Sequence, residues 1–160
     1  MELREPANFA APAAKAYWRW SAAAWWGGLA IAQVVTMVIW QDIAWWRWVL
    51  AALTVVILII DAVISPPIRY RVHRWEVTPT AVYTQSGWLS IERRVAPISR
   101  VQTVDTTRGA IMRMLGLSTV TVTTASAAGE MTIELLDSRV AADLVEHLTA
   151  VAESSEDDAT

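Results

Sequence analysis

Two apolar stretches, Trp20 to Gln41 and Ile43 to Ile64, lie almost back to back near the N-terminus, and tryptophans crowd their ends. The first carries no charged residue across a span long enough to cross about 30 Å of hydrocarbon as a helix. The second is interrupted only by Arg47 near its start and Asp61 near its finish, both close enough to an end to reach an interface. Of the 10 tryptophans, Trp18, Trp20, Trp25, Trp26, Trp40, Trp45, Trp46 and Trp48 fall in this region. Indole rings prefer the headgroup layer, where the apolar body is buried and the N–H stays wet. A buried helix pair in a soluble protein would be equally apolar but would not place a tryptophan belt at both ends. The pattern predicts a two-helix transmembrane hairpin over residues 20–64.

With 160 residues, the chain has room for one modest domain beside the hairpin. The expected layout is an N-terminal segment (1–19), the hairpin (20–64), a globular domain (68–152) and an acidic, disordered tail (153–160). The hydrophobic fraction of 54% is high for a soluble protein, and the excess lies before Pro66. No cysteine is present, which excludes disulfides and thiolate chemistry. The net charge of −3 hides an uneven layout. Arg69, Arg71, Arg74, Arg93, Arg94, Arg100, Arg108 and Arg113 occupy the first half of the globular part, whereas Glu153, Glu156, Asp157 and Asp158 gather in the tail. A pI near 5.3 argues against a dedicated nucleic-acid binder. The first apolar run is longer than a signal-peptide core and a second follows it at once, so both are expected to be retained.

Lys15 and Arg19 precede the first span, and Arg69, Arg71 and Arg74 follow the second. The Gln41-Asp42 connection carries no positive charge. The positive-inside bias therefore places both termini and the globular part in the cytoplasm of a multi-pass plasma-membrane protein. Ser65-Pro66-Pro67 is expected to end the second helix, because proline lacks the N–H and disfavours helical geometry before it. Within the first span Ala24, Gly28, Ala32 and Thr36 recur at four-residue spacing, a small-residue stripe that lets another helix approach closely. The Ala-rich composition alone also accounts for it. An intramembrane carboxylate is a functional candidate by default. Asp61 nonetheless lies only about 6 Å of helical rise from Ser65, so snorkelling or pairing with Arg69 is the expected role.

After the prolines the apolar period switches from helical to alternating. Val120 and Val122 face one way from Leu117–Thr124, and Met131, Ile133 and Leu135 alternate in the next run, with the Ala125–Gly129 link as hairpin loop. Earlier strands are expected at Tyr70–Thr78, Ala81–Ser86, Trp88–Val95 and Val101–Thr107, with a bulge near Arg93 to reconcile its parity with Leu89, Ile91 and Val95. Ile111 to Leu115 is long enough only for a helical turn. A helix from Arg139 to Ala152, capped by Asp137 or Ser138, presents Val140, Leu144, Leu148 and Val151 to the core, with Ala141 and Val145 beside them. Six short strands and one amphipathic helix suit a small barrel or bent sandwich plugged by that helix.

Several ordered blocks in this part are recognisable. Trp75-Glu76-Val77-Thr78, then Gly87, Arg94-Val95 and Pro97-Ile98-Ser99-Arg100-Val101-Gln102, then Arg113-Met114-Leu115-Gly116-Leu117 and Thr124-Ala125 follow one another in sequence. Together they resemble the pleckstrin-homology-like (bacterial PH type two) domain of YdbS-like bacterial membrane proteins. The resemblance runs from Trp75 to about Ala152. Val101 stands where isoleucine is more usual, and Ser126 where a glycine often follows the Thr-Ala pair. The resemblance implies a mainly-β PH-like barrel with a C-terminal capping helix behind a membrane hairpin. It also implies a larger companion with several such domains, and it names no ligand.

His73 and His147 sit on different elements without cysteine to support them, so no metal site is expected. No Ser-His-Asp order, phosphate-binding glycine loop or H-E-x-x-H helix is present, and no cofactor is implied. The expected function is therefore non-enzymatic: a membrane-anchored PH-like interaction module that docks a protein partner or a second copy of itself. Arg69, Arg71 and Arg74 carry the alternative, recognition of anionic headgroups at about 1 kcal/mol per charge. Topology alone also explains them. A third reading, an accessory subunit of a transporter or envelope enzyme complex, would use Ala24, Gly28, Ala32 and Asp61 for helix packing.

Overall fold

The computed structural model describes residues 4–40, 44–88, 90–125 and 129–157. The Gln41-Asp42 connection, Leu89, Ser126 and the chain end beyond 157 lie outside the described residues. Strand β1 (Asn8–Phe9) leads into helix α1 (Ala14–Trp40). Helix α2 (Trp45–Ile59) continues through a π-helical turn (Ile60–Ile64) into α3 (Ser65–Val72). Strands β2 (Arg74–Val77), β3 (Ala81–Gly87) and β4 (Ile91–Pro97) follow, then a 3-10 turn (Ile98–Arg100), β5 (Val101–Thr107) and a short α4 (Ala110–Met114). The chain closes with β6 (Leu117–Thr124), β7 (Glu130–Asp137) and α5 (Ser138–Asp157).

The two long helices are apolar on nearly all sides, and the windows that could cross a membrane are only 6% and 11% buried within the protein. A core helix of a soluble protein would be mostly covered; these have the length and exposure of membrane-spanning helices. The second helix is not ended by Ser65-Pro66-Pro67 as the sequence suggests. The prolines fall in the first turn of α3, where no N–H has to be donated, and the wider π-helical turn precedes them, with the Ser65 N–H reaching back to the Ile60 carbonyl. Trp45–Val72 is thus one 28-residue rod, and residues 70–72, expected as strand, are helical.

Two antiparallel sheets pack into a sandwich, one ordered β1-β2-β3-β4 and the other β5-β6-β7. Strand β1 pairs with β2, Asn8 opposite Trp75 and Phe9 opposite Arg74. The hairpin is therefore the connection between the first two strands of the domain. The domain does not begin at residue 68: the segment read as a separate N-terminal piece (1–19) supplies one of its strands.

Val82, Ala96, Ile98, Val120, Val122, Met131, Ile133 and Leu136 fill the space between the sheets, and α5 closes it with Ala141, Leu144 and Leu148. The expected stripe shifts slightly, since Val140 is exposed and Ala141 takes its place. Asp137 is the cap, accepting the Arg139 N–H at 2.9 Å, while the Ser138 hydroxyl bonds to the Gly116 carbonyl at 2.7 Å. The helix runs on to Asp157, past the Ala152 expected and into the segment read as a disordered tail. Leu144→Ala is expected to cost about 2 kcal/mol. An unchanged unfolding midpoint in detergent would deny α5 its role as the plug.

No bulge lies near Arg93, because β3 and β4 pair without interruption from Gly87–Ile91 to Ala81–Pro97. Ala96 and Ile98 face the core instead of Ile91 and Val95, so Arg93 takes the outer face and donates to Gln85 at 2.9 Å. Register shifts fall instead at Gln102 on β5, between the Val101–Thr124 and Thr103–Thr123 pairs, and on β7, where Glu134 and Leu135 together oppose Thr119 between the Ser118–Leu136 and Val120–Ile133 pairs.

Candidate functional site

The β7 bulge is where the hairpin docks. Leu135 adopts a left-handed backbone conformation (φ 56°), rare for a residue with a branched side chain. The twist presents its carbonyl to the Ala11 N–H at 2.9 Å and buries its side chain among Ala10, Ala14, Trp18, Met112 and Leu117. These residues form a second, smaller core between the foot of α1 and the domain. Such a left-handed conformation costs about 1–3 kcal/mol and persists only where the surrounding packing over-determines it, as this core does.

Beside it, His73 ends α3. Its backbone N–H and its ring Nδ1 both reach the Arg69 carbonyl at 2.8 Å, its ring meets Trp18 edge-on at 5.1 Å, and Nε2 lies 3.5 Å from Glu134. Both ring nitrogens face oxygen atoms, of the Arg69 carbonyl and the Glu134 carboxylate. One side chain thus touches α1, α3 and β7. The hydrogen bond from His73 holds the Glu134 carboxyl below its ordinary value of 4.5, against partial burial, which raises it. A carboxyl depressed in the fold stabilises it above the ordinary value, and the contribution fades as pH falls through the lowered one. Glu134→Gln is accordingly expected to lower Tm at neutral pH and to flatten the loss of Tm below about pH 4.5. A mutant curve that runs parallel to the wild type would contradict this pair.

The residues before α1 are stitched onto the first sheet. Arg4 pairs with Glu76, Glu5 bridges Arg74 (3.2 Å) and Arg93 (3.7 Å), and Phe9 stacks on Tyr70 at 5.6 Å. Arg74 also lies over the Phe9 ring at 4.4 Å. Arg69 pairs with Asp61 at 3.5 Å and sits over the Trp88 ring at 5.7 Å. Arg71 is exposed. The three membrane-proximal arginines thus split: two serve partners within the chain and one faces solvent. Arg94 and Arg108 pair elsewhere, with Glu92 and with the Ser118 hydroxyl.

Asp61 takes the structural role that its depth suggests. Besides Arg69 it accepts the Trp26 indole N–H at 3.2 Å, tying α1 to the π-helical turn. Deeper in the hairpin Gln33 donates to the Thr54 hydroxyl at 2.9 Å, and Thr54 in turn donates to the Leu50 carbonyl. Gln33 was the visible signal, an uncharged polar residue midway along the first span. Ala24, Gly28 and Ala32 lie on the opposite, exposed face of α1, away from α2, and Thr36 is partly covered. Nothing lies within 4 Å of a Cβ built on Gly28. The junction residues His73, Glu134 and Leu135 carried no such signal, because the contact that gives them a role is made only by the fold.

This arrangement holds the domain against the hairpin. The cleft lined by His73, Trp75, Gln85 and Glu134 is small, with room for about one water. Among the described residues no His, Cys, Asp or Glu group is placed to hold a metal ion.

Residues 11–152 match the bacterial PH domain family. The transmembrane protein YdbS of Bacillus subtilis (strain 168) is 32% identical over 114 residues, which covers 71% of this chain and 70% of that protein. No solved structure matches the chain. A match over most of the chain, together with two exposed apolar helices and a two-sheet sandwich closed by a C-terminal helix, leads to one conclusion: this is a membrane protein of the bacterial PH domain family, similar to YdbS.

Proposed function

We propose that the chain is a membrane-anchored, non-enzymatic PH-like module that docks a protein partner at the cytoplasmic face. The observation that carries this reading is the use of Arg69 and Arg74 by Asp61 and Glu5. A headgroup receptor keeps its cations open to the ligand, whereas these two hold the hairpin and the first sheet in place. The partner is a larger membrane protein with several such domains or a second copy of this chain. The exposed Ala24, Gly28 and Ala32 face fits the accessory-subunit form of the same idea, in which helices assemble in the bilayer. Headgroup recognition is the second reading, favoured by the exposure of Arg71 beside the membrane.

The test is purification of the full chain from its native membrane in mild detergent. A second chain at fixed stoichiometry is expected, retained in Arg71→Gln. A companion-free monomer would overturn the docking reading. The cytoplasmic orientation rests on Lys15, Arg19, Arg69, Arg71 and Arg74 flanking the hairpin on one side. A cysteine at Gln41 is expected to react with an impermeant thiol reagent in intact cells and one at Ser126 to be protected; the reverse pattern would invert the topology.

A further inference from the structure

Trp88 and Ile91, at the open end of the β3–β4 ladder, present apolar surface to the outside of the domain. Ile91, paired with Gly87 at the end of the ladder, is 56% exposed, and Trp88 lies between them, partly exposed. This end of the ladder is not on the far side of the domain. The Trp88 ring lies 5.7 Å from the Arg69 guanidinium, and Arg69 reaches 3.5 Å to Asp61 in the membrane-spanning rod.

Its depth follows from the helix. Crossing about 30 Å at 1.5 Å per residue takes about 20 residues. Counted from Trp45, that puts the inner edge of the hydrocarbon near Ser65. Arg69, one turn further on, is then in the headgroup layer, and Trp88 shares its level. Ile68, on the same turn of α3, is 40% exposed. An indole over a guanidinium, flanked by open isoleucines, is the composition of an interfacial anchor.

We propose that Trp88 and Ile91 make a further membrane contact, immersed at the boundary between headgroups and acyl chains beside Arg69. The occupant of this surface is the bilayer itself. Trp88 meets α3 through Arg69, just beyond the membrane-spanning part of the rod, and the domain is fixed to the hairpin by the junction around His73 and Leu135. The contact is apolar and needs no particular headgroup. It is independent of whether the domain's partner is a protein.

The chain contains no cysteine, so one introduced residue can be labelled alone. Ile91→Cys changes an exposed side chain, and Asp143→Cys, on the outer side of α5, serves as the water-facing control. Each full-length variant is spin-labelled and reconstituted at low protein-to-lipid ratio into phosphatidylcholine vesicles, with and without phosphatidylglycerol. Circular dichroism checks the fold. The label at 91 is expected to lose accessibility to a water-soluble nickel chelate relative to the label at 143 while gaining it to oxygen, equally in both vesicle types. Three outcomes overturn the proposal. The label at 91 is as accessible to the chelate as that at 143, it is shielded from both reagents as in a protein contact, or it is immersed only with anionic lipid.

Discussion

Trp18→Ala is expected to destabilise the protein by about 3–5 kcal/mol, the usual cost of deleting a buried indole. Trp18 is 7% exposed, although it belongs to a helix whose neighbouring tryptophans face lipid; Trp25 is 76% exposed. Its ring fills the small core with Ala14, Met112 and Leu135 and lies against His73, so truncation removes packing from α1, α4 and β7 at once. The loss should be specific to the junction. Trp25→Ala, a change of the same size on the lipid face, is expected to leave the unfolding midpoint in detergent nearly unchanged. Trp18→Ala should also speed proteolysis in the segment 10–14, which the junction covers. Equal effects of the two substitutions would mean that the hairpin and the domain are joined only by the chain.

Gly87→Ala is expected to cost about 3 kcal/mol, from a disallowed backbone and a direct overlap. Gly87 has φ of +135°, and a Cβ placed there would lie 1.8 Å from the Ser90 carbonyl oxygen, which is backbone and cannot swing aside. The β3–β4 turn must then open, taking Trp88 from Arg69. Gly116→Ala is the comparison: its φ is +67°, but nothing lies within 4 Å of the new Cβ. That change is expected to cost about 1 kcal/mol, the penalty of the left-handed conformation alone. Denaturant midpoints of the two variants check the order. Equal midpoints would show that the turn relaxes without cost.

The elements with long periodic patterns were legible before folding. The apolar spans, the alternating Val120 and Val122, and the Leu144 and Leu148 stripe all report a repeating environment, and the structure places them accordingly. What was hidden depended on contacts distant in sequence. Strand β1 is two residues long, too short for any period, and is recognised only by Trp75 and Arg74 opposite it. The prolines at 66 and 67 read as a helix end because the rule concerns helix interiors, whereas here they open α3 after a π-helical turn. The β7 bulge turns Leu135 toward Trp18 without changing the Met131, Ile133, Leu135 alternation in the sequence. Of the candidate site residues, the Asp61–Arg69 pair was readable from depth and charge. The division of labour among Arg69, Arg71 and Arg74 was not, because Glu5 lies far from Arg74 along the chain.

That division decides which substitution is informative. Changing all three arginines together would mix binding with stability, since Arg69 and Arg74 hold the hairpin and the first sheet. A fragment beginning at Ile68 would lack β1 and the foot of α1. Arg71 in the full chain is the clean probe. Native mass spectrometry of the intact protein, released from membranes containing both zwitterionic and anionic lipid, puts protein docking and headgroup recognition in one spectrum. A protein–protein assembly is expected, whose bound lipid mirrors the membrane composition and is unchanged by Arg71→Gln. A lone chain carrying anionic lipid selectively, and losing it in Arg71→Gln, would contradict it.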